Sequence, residues 1–382
     1  MVDFMGTSGD DNCTGDGPLR HIYVHIPFCA RICPYCAFYK ERADPAQTGR
    51  FCKAILAELA QHERQLPLRP TTIFFGGGTP TALTSLQIAA LLEGFHATLD
   101  LSELAEWTFE ANPGSVSDRK ARLLREQGVS RISLGVQSFD DALLELLGRE
   151  HSAAQAEDSF TLLRRCGFEN LNIDLMFGLP GQTLAQWQQT LRRAIALEPE
   201  HISTYCLTYE EDTEFFLRHA RGEFHTDSEE EAAFFEMTGE CLTNAGFLQY
   251  EISNFARPGF ESVHNRAYWR GEDYLGLGPS AVSTLGLRRW QNVCDYRAYA
   301  ERILAGSGAS LGDEILTPEM KRAEAIALGL RTRLGVPVAW VEDWPNEVAE
   351  FVNLGLLQCE ERRVVLTRSG RLLADSVAEA FV

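Results

Sequence analysis

The sequence predicts an α/β protein built on a parallel sheet, followed by an α+β extension and a winged-helix-like C-terminal segment. Three observations carry this. Six short apolar or β-branched runs alternate with helical patterns between residues 20 and 207. The residues with chemical potential fall at or just after the C-terminal ends of those runs, where parallel α/β folds place their sites. After residue 208 the alternation stops.

The runs 21–26, 72–75, 107–111, 131–136, 170–176 and 201–207 are bounded by Gly, Pro or polar residues and read as strands. Between the first two, Phe51, Ile55, Leu56 and Leu59 recur at helical spacing, and 87–99, 118–127, 141–147, 153–166 and 184–197 read similarly. Helical return connections make neighbouring strands parallel. Six such units form either an incomplete barrel or an open doubly wound sheet. Beyond them, the acidic run 229–231 starts a solvated helix, 236–245 is helical up to Gly246, and 249–255 reads as a strand. Segment 263–274 is dense in aromatics, and 307–313 reads as a linker. Helices over 317–332, 338–344 and 347–354, a hairpin around 360–363 and a helix over 368–380 give the winged-helix-like order. The expected domains are therefore a leader (1–18), a sheet domain (19–225), an extension (226–306) and a C-terminal domain (307–382).

Composition narrows the classes. With 45% hydrophobic and 23% charged residues among 382, the chain can bury a full core. A net charge of −19 opposes binding nucleic acid or an anionic membrane by charge alone. The C-terminal segment carries more acid than base, so its winged-helix pattern does not imply DNA binding. No apolar stretch reaches the roughly 18–20 residues needed to span a bilayer. The Gly- and Asp-rich residues 1–18 lack the basic start and apolar core of a signal peptide and are read as a disordered leader. Three of the ten cysteines sit within eight residues, which fits metal binding in a reducing, cytoplasmic compartment better than disulfides. The other seven are scattered singly and read as small buried hydrophobes.

The three clustered cysteines carry the chemistry. Cys29, Cys33 and Cys36 have CxxxCxxC spacing on the loop after the first strand. Three thiolates hold three irons of a 4Fe–4S cube and leave the fourth iron without a protein ligand. The amino and carboxylate groups of S-adenosylmethionine (SAM) can chelate that iron, and electron transfer then releases a 5′-deoxyadenosyl radical. A structural zinc site would need a fourth ligand and usually a second CxxC knuckle. None follows, and His25 is the only nearby addition. The turn Gly76–Pro80 follows the second strand, where absent Cβ atoms let backbone approach a ligand.

With these motifs in place, the sequence resembles the radical SAM family that comprises the oxygen-independent coproporphyrinogen III oxidases and the related heme chaperones. The resemblance runs from Tyr23 into the C-terminal segment. It implies a partial (β/α)6 radical SAM barrel and a C-terminal domain of the oxidase type. It places Gly77, Gly78 and Thr79 at the methionyl end of SAM, and Tyr23 and Tyr35 beside it. It adds Glu110, Gln137, Arg149 and Asp174, each at or beyond a strand end. The ligand's charges suggest Glu110 for the ammonium, Arg149 for the carboxylate, and Gln137 and Asp174 for the ribose hydroxyls.

Two features divide the family. The oxidases carry a further cysteine two residues after the third cluster cysteine, and this chain has Phe38. The oxidases also have a longer segment before the position of Tyr23. The stretch His264-Asn-Arg-Ala-Tyr268-Trp269 resembles the HNxxYW motif of the chaperones, which implies heme contact through His264, Tyr268 and Trp269. The resemblance therefore implies a heme chaperone that delivers heme to apo-hemoproteins, respiratory ones first. Its implied partners are heme, the recipient and an electron donor. Homodimerisation and peripheral membrane association through a partner are compatible with that role. The alternative is an enzyme, decarboxylating coproporphyrinogen III propionates to vinyls. No basic cluster suited to several propionates stands out in the sequence.

Overall fold

A computed structural model describes residues 17–381; apart from Gly17 and Pro18, the expected leader lies outside the described residues. The six expected strands are all present: β1 Leu19–Ile26, β2 Leu68–Gly77, β3 Glu106–Ala111, β4 Arg131–Gln137, β5 Asn170–Phe177 and β6 His201–Cys206. They lie side by side in chain order and pair in parallel. The helices between them satisfy their first-turn N–H groups locally. Those starting at Ser85, Ala153 and Leu184 each open on a Thr or Ser capping box closed by a Gln three residues on. Outward residues such as Ile73, Phe75, Trp107 and Phe109 are fully or almost fully buried under Phe95 and its helical neighbours. Each such side chain contributes about 1.5–3 kcal/mol of transfer free energy.

The extension completes the sheet at both ends. Leu275–Leu277 adds a parallel strand beside β1, and Asn254–Ala256 runs antiparallel beside β6. The first of these lies just past the aromatic segment and is too short, at three residues, to show a period. The expected 249–255 strand is instead two short pieces, Leu248–Gln249 and Asn254–Ala256, which pair with each other. The segment read as a linker is a strand, Ser310–Ile315, paired with Arg288–Asn292. Five of its six residues are exposed, so no burial alternation marks it in the sequence. In the C-terminal segment, 338–340 is a single 3-10 turn, and the last helix breaks at Leu373. The hairpin Leu357–Glu360 and Arg363–Leu366 forms as expected, with Val336–Pro337 as a third strand.

Glu58 ties the barrel to the extension. It is fully buried and accepts hydrogen bonds from Tyr299 Oη (2.6 Å), Asn292 Nδ2 (2.7 Å) and Gly278 N (2.8 Å). Burial pushes its pKa up to about 7 despite those donors. A raised carboxyl pKa favours folding below the unfolded value and loses that contribution as pH rises through 7. Thermal melts should therefore show a decline in stability between pH 5 and 8 that is shallower in Glu58→Gln. An unchanged pH slope in that variant would assign the decline to other groups.

Candidate functional site

Alternation along the strands points one row of each into the barrel, and that row is polar. It includes His21 and His25 from β1, Thr72 from β2, Glu106 and Glu110 from β3, and Arg131 and Ser133 from β4. Asn172 and Asp174 from β5 and His201 and Ser203 from β6 complete it. The upper part of this lumen is a cavity of about 600 Å³ at the C-terminal ends of the strands. Cys29, Cys33 and Cys36 lie on its wall with Tyr35 and the exposed Phe38. Gly77, Gly78, Thr79, Glu110, Gln137, Arg149 and Asp174 line the same cavity. Tyr23 does not. Its hydroxyl lies 3.0 Å from His25 Nδ1 and its ring stacks on Phe74, its register partner on the next strand, which does line the cavity.

The thiols suit a cluster. All three are half-buried and unpaired. Thr79 Oγ1 approaches Cys29 Sγ at 3.6 Å, and Arg149 Nη1 approaches Cys33 Sγ at 3.7 Å. Lys40 Nζ donates to the carbonyl of Cys36. Burial raises the Cys29 and Cys36 thiols, so their thiolates need the positive charge that irons and these cations provide. Among the described residues no three His, Cys, Asp or Glu side chains converge as a single metal ion requires. A cube would take each thiolate on a different iron.

The candidate cofactor residues are held by the strand ends and by their neighbours in the lumen. Gly77 has φ +106°, and a Cβ there would sit 2.6 Å from the His25 ring; at Gly78 it would meet the Pro27 backbone at 2.7 Å. These glycines let the turn press against the cluster loop as well as against a ligand. Glu110 accepts from Gly77 N at 3.2 Å, and burial, then Asp174, pushes its pKa up to about 8. Asp174 is also raised by burial, against bonds from Asn172 (2.6 Å) and Ser133 (3.1 Å). Gln137 stands at φ +68° where the β4–β5 register slips, a left-handed conformation that turns its side chain into the lumen wall. Arg149 Nη2 donates to Asn112 Oδ1 and Gly135 O, both at 2.6 Å, while its Nε has no partner among the described residues.

Arg131 escaped the sequence reading. It is 1% exposed, lines the lumen between Glu110 and Asp174, and lowers the pKa of both. Its Nε has no partner among the described residues. Its only sequence signal is a charge on the inward register of a strand. Asn112 and Asn265 also line the cavity without having been singled out.

The three heme candidates do not share one face. They lie on the short helix Val263–Trp269, which closes the N-terminal end of the barrel. Glu106 pins that helix, accepting from Ser262 Oγ (3.1 Å), Val263 N (3.0 Å) and His264 N (3.1 Å). Thr72 Oγ1 lies 2.8 Å from His264 Nδ1 and 2.9 Å from His21 Nδ1, and His21 Nε2 reaches Glu272 at 2.8 Å. The His264 ring packs on Phe74. It keeps a margin of accessible surface yet sits deep among its neighbours. Burial first, then His21 and Arg131, holds its pKa down to about 3, so the ring is neutral. Tyr268 is exposed, and Trp269 faces a second cavity on the other side of the helix.

A parallel barrel with three cysteines at its mouth and a polar lumen below defines a radical SAM protein. Residues 23–194 match the Radical SAM superfamily, and residues 316–373 match the HemN C-terminal domain. The chain is 36% identical over 370 residues to the heme chaperone HemW of Lactococcus lactis, covering 94% of this chain and 96% of that one. It is 37% identical over 379 residues to HemW of Bacillus subtilis, covering 95% and 99%. It therefore belongs to the HemW heme chaperone family. Its fold also matches a solved structure, coproporphyrinogen III oxidase (HemN) from Escherichia coli, described as a radical SAM enzyme. That match has a TM-score of 0.82 at 23% identity and covers 95% of this chain and 90% of that one.

Proposed function

We propose that this chain binds heme and delivers it to apo-hemoproteins, respiratory ones among them, in the cytoplasm. The observation that carries the reading is the match, along nearly the whole chain, to relatives named as heme chaperones. Phe38, standing exposed at the lumen mouth where the oxidases have a cysteine, supports it. No helix among the described residues is long and apolar enough to cross a membrane. Contact with a membrane-bound recipient would therefore run through that partner. The reading extends to an electron donor for the cluster and to self-association during transfer.

Cys29, Cys33 and Cys36 would hold the 4Fe–4S cluster, and the lumen would hold SAM. When bound, these groups supply an electron and a 5′-deoxyadenosyl radical. Glu110 would accept from the methionyl amino group, and Arg149 would face the methionyl carboxylate. Gln137 and Asp174 offer polar atoms to the ribose. Thr79 and Tyr35 shape the wall beside the cluster loop. Of the heme candidates, His264 has its Nδ1 fixed by Thr72, as ligating imidazoles usually have one ring nitrogen fixed.

Anaerobically reconstituted protein should give a Soret band with hemin, weakened in His264→Ala. The same sample should leave coproporphyrinogen III unconverted with SAM and reductant. Vinyl product at substantial turnover would replace the chaperone reading with the oxidase, and an unchanged Soret band in His264→Ala would remove that residue as a ligand.

A further inference from the structure

The second cavity has a volume of about 410 Å³, within the usual range of about 300–1,000 Å³ for small-molecule sites. It lies between the 263–269 helix and the C-terminal segment. Its lining includes Trp269 and Trp340, with Arg266, Arg270, Arg333 and Arg363 around them. Trp340 is 39% exposed, and Arg331 stands 5.3 Å from the centre of the Trp269 ring, on one of its two faces. Glu261 is the one carboxylate on this lining. It is shared, accepting from Arg266 at 3.0 Å and Arg333 at 2.8 Å. Arg363 donates to the carbonyls of Leu334 (2.5 Å) and Gly335 (2.7 Å), neither of which compensates its charge. Arg270, also on this lining, pairs through its Nε with Glu272, which is not.

The site thus concentrates positive charge around aromatic faces in a chain of net charge −19. Guanidinium forks match carboxylates bidentately, and indole faces match flat conjugated rings. We propose that this cavity seats the ring face and the propionate edge of a tetrapyrrole, which makes it the docking site for the cargo. The assignment rests on the heme reading and extends it. It concerns the ring and its carboxylates at a docking position; His264 is not on this lining, so ligation by His264 would follow at a second position of the ring. The cavity is also separate from the lumen that holds the cysteines, so a propionate bound here is not presented to radical chemistry.

The test uses the full chain with hemin, metal-free protoporphyrin IX and the dimethyl ester of protoporphyrin IX. Metal-free porphyrin needs no axial ligand, so its binding reads the cavity alone. The wild type should bind hemin and protoporphyrin IX, and the ester should bind at least tenfold more weakly. Arg270→Gln/Arg333→Gln leaves Arg266 to hold Glu261 and should weaken protoporphyrin IX binding at least tenfold, with an unchanged melting temperature. Equal binding of ester and free acid by the wild type would overturn the proposal without using any variant. So would wild-type affinity for protoporphyrin IX in the double variant. Failure of the wild type to bind hemin at all would overturn the heme reading itself.

Discussion

Cys33→Ala is expected to abolish the broad visible absorbance of the reconstituted cluster and to reduce bound iron to a small fraction of the wild-type content. Three thiolates serve three irons, so losing one leaves a corner without a protein ligand next to the corner reserved for SAM. Cys33 is also the thiol that Arg149 approaches, at 3.7 Å, so its removal strips a negative partner from a buried guanidinium. Cys206 is the informative control. It lines the same cavity from the end of β6 but lies off the cluster loop, and Cys206→Ala should retain the cluster. A full iron complement in Cys33→Ala, or loss of the cluster in Cys206→Ala, would place the cluster on a different ligand set.

The second large effect is on SAM binding. Glu110 accepts from the methionyl amino group most strongly as a carboxylate, and its pKa of about 8 leaves it mostly protonated at neutral pH. SAM affinity should therefore rise with pH up to about 8, by as much as about tenfold per pH unit where the uptake of one proton opposes binding. The ligand's own α-amino group, with a pKa of about 7.7–8.0, would contribute in the same direction through chelation, which needs the unprotonated amine, and in the opposite direction through its charge pairing with Glu110. Glu110→Gln should weaken binding at pH 8 by about ten- to hundredfold, the scale of a hydrogen bond to a charged group. It should also leave only the shallower slope of the ligand. Calorimetry on the anaerobic, cluster-loaded protein reads both quantities. Wild-type affinity and slope in Glu110→Gln would remove the residue from the amino-group site.

The barrel was legible because its strands are short, apolar on the outward side and separated by helices with their own caps. The cluster loop and the Gly76–Pro80 turn were legible because their chemistry sits in contiguous spacing. Arg131 was not, because an inward charge on a strand looks like any other charge until the sheet curls around it. Glu106 was hidden for a similar reason: it caps a helix more than 150 residues away. The arginines of the second cavity come from the motif helix, the 331–335 turn and the C-terminal hairpin, and only packing assembles them. The HNxxYW stretch was legible as a motif but not as a geometry. His264 and Trp269 are five residues apart on a helix, roughly 140° around its axis, so the first packs among Thr72, His21 and Phe74 while the second lines the arginine-ringed cavity.

That short helix touches both chambers. Asn265 lines the lumen where SAM would bind, and Trp269 lines the arginine-ringed cavity. Seven residues, bonded to Glu106 at one end, join the two linings. Thermodynamic linkage then fixes a symmetry between the occupants. By whatever factor SAM alters the affinity for a ligand on Trp269, that ligand alters the affinity for SAM by the same factor.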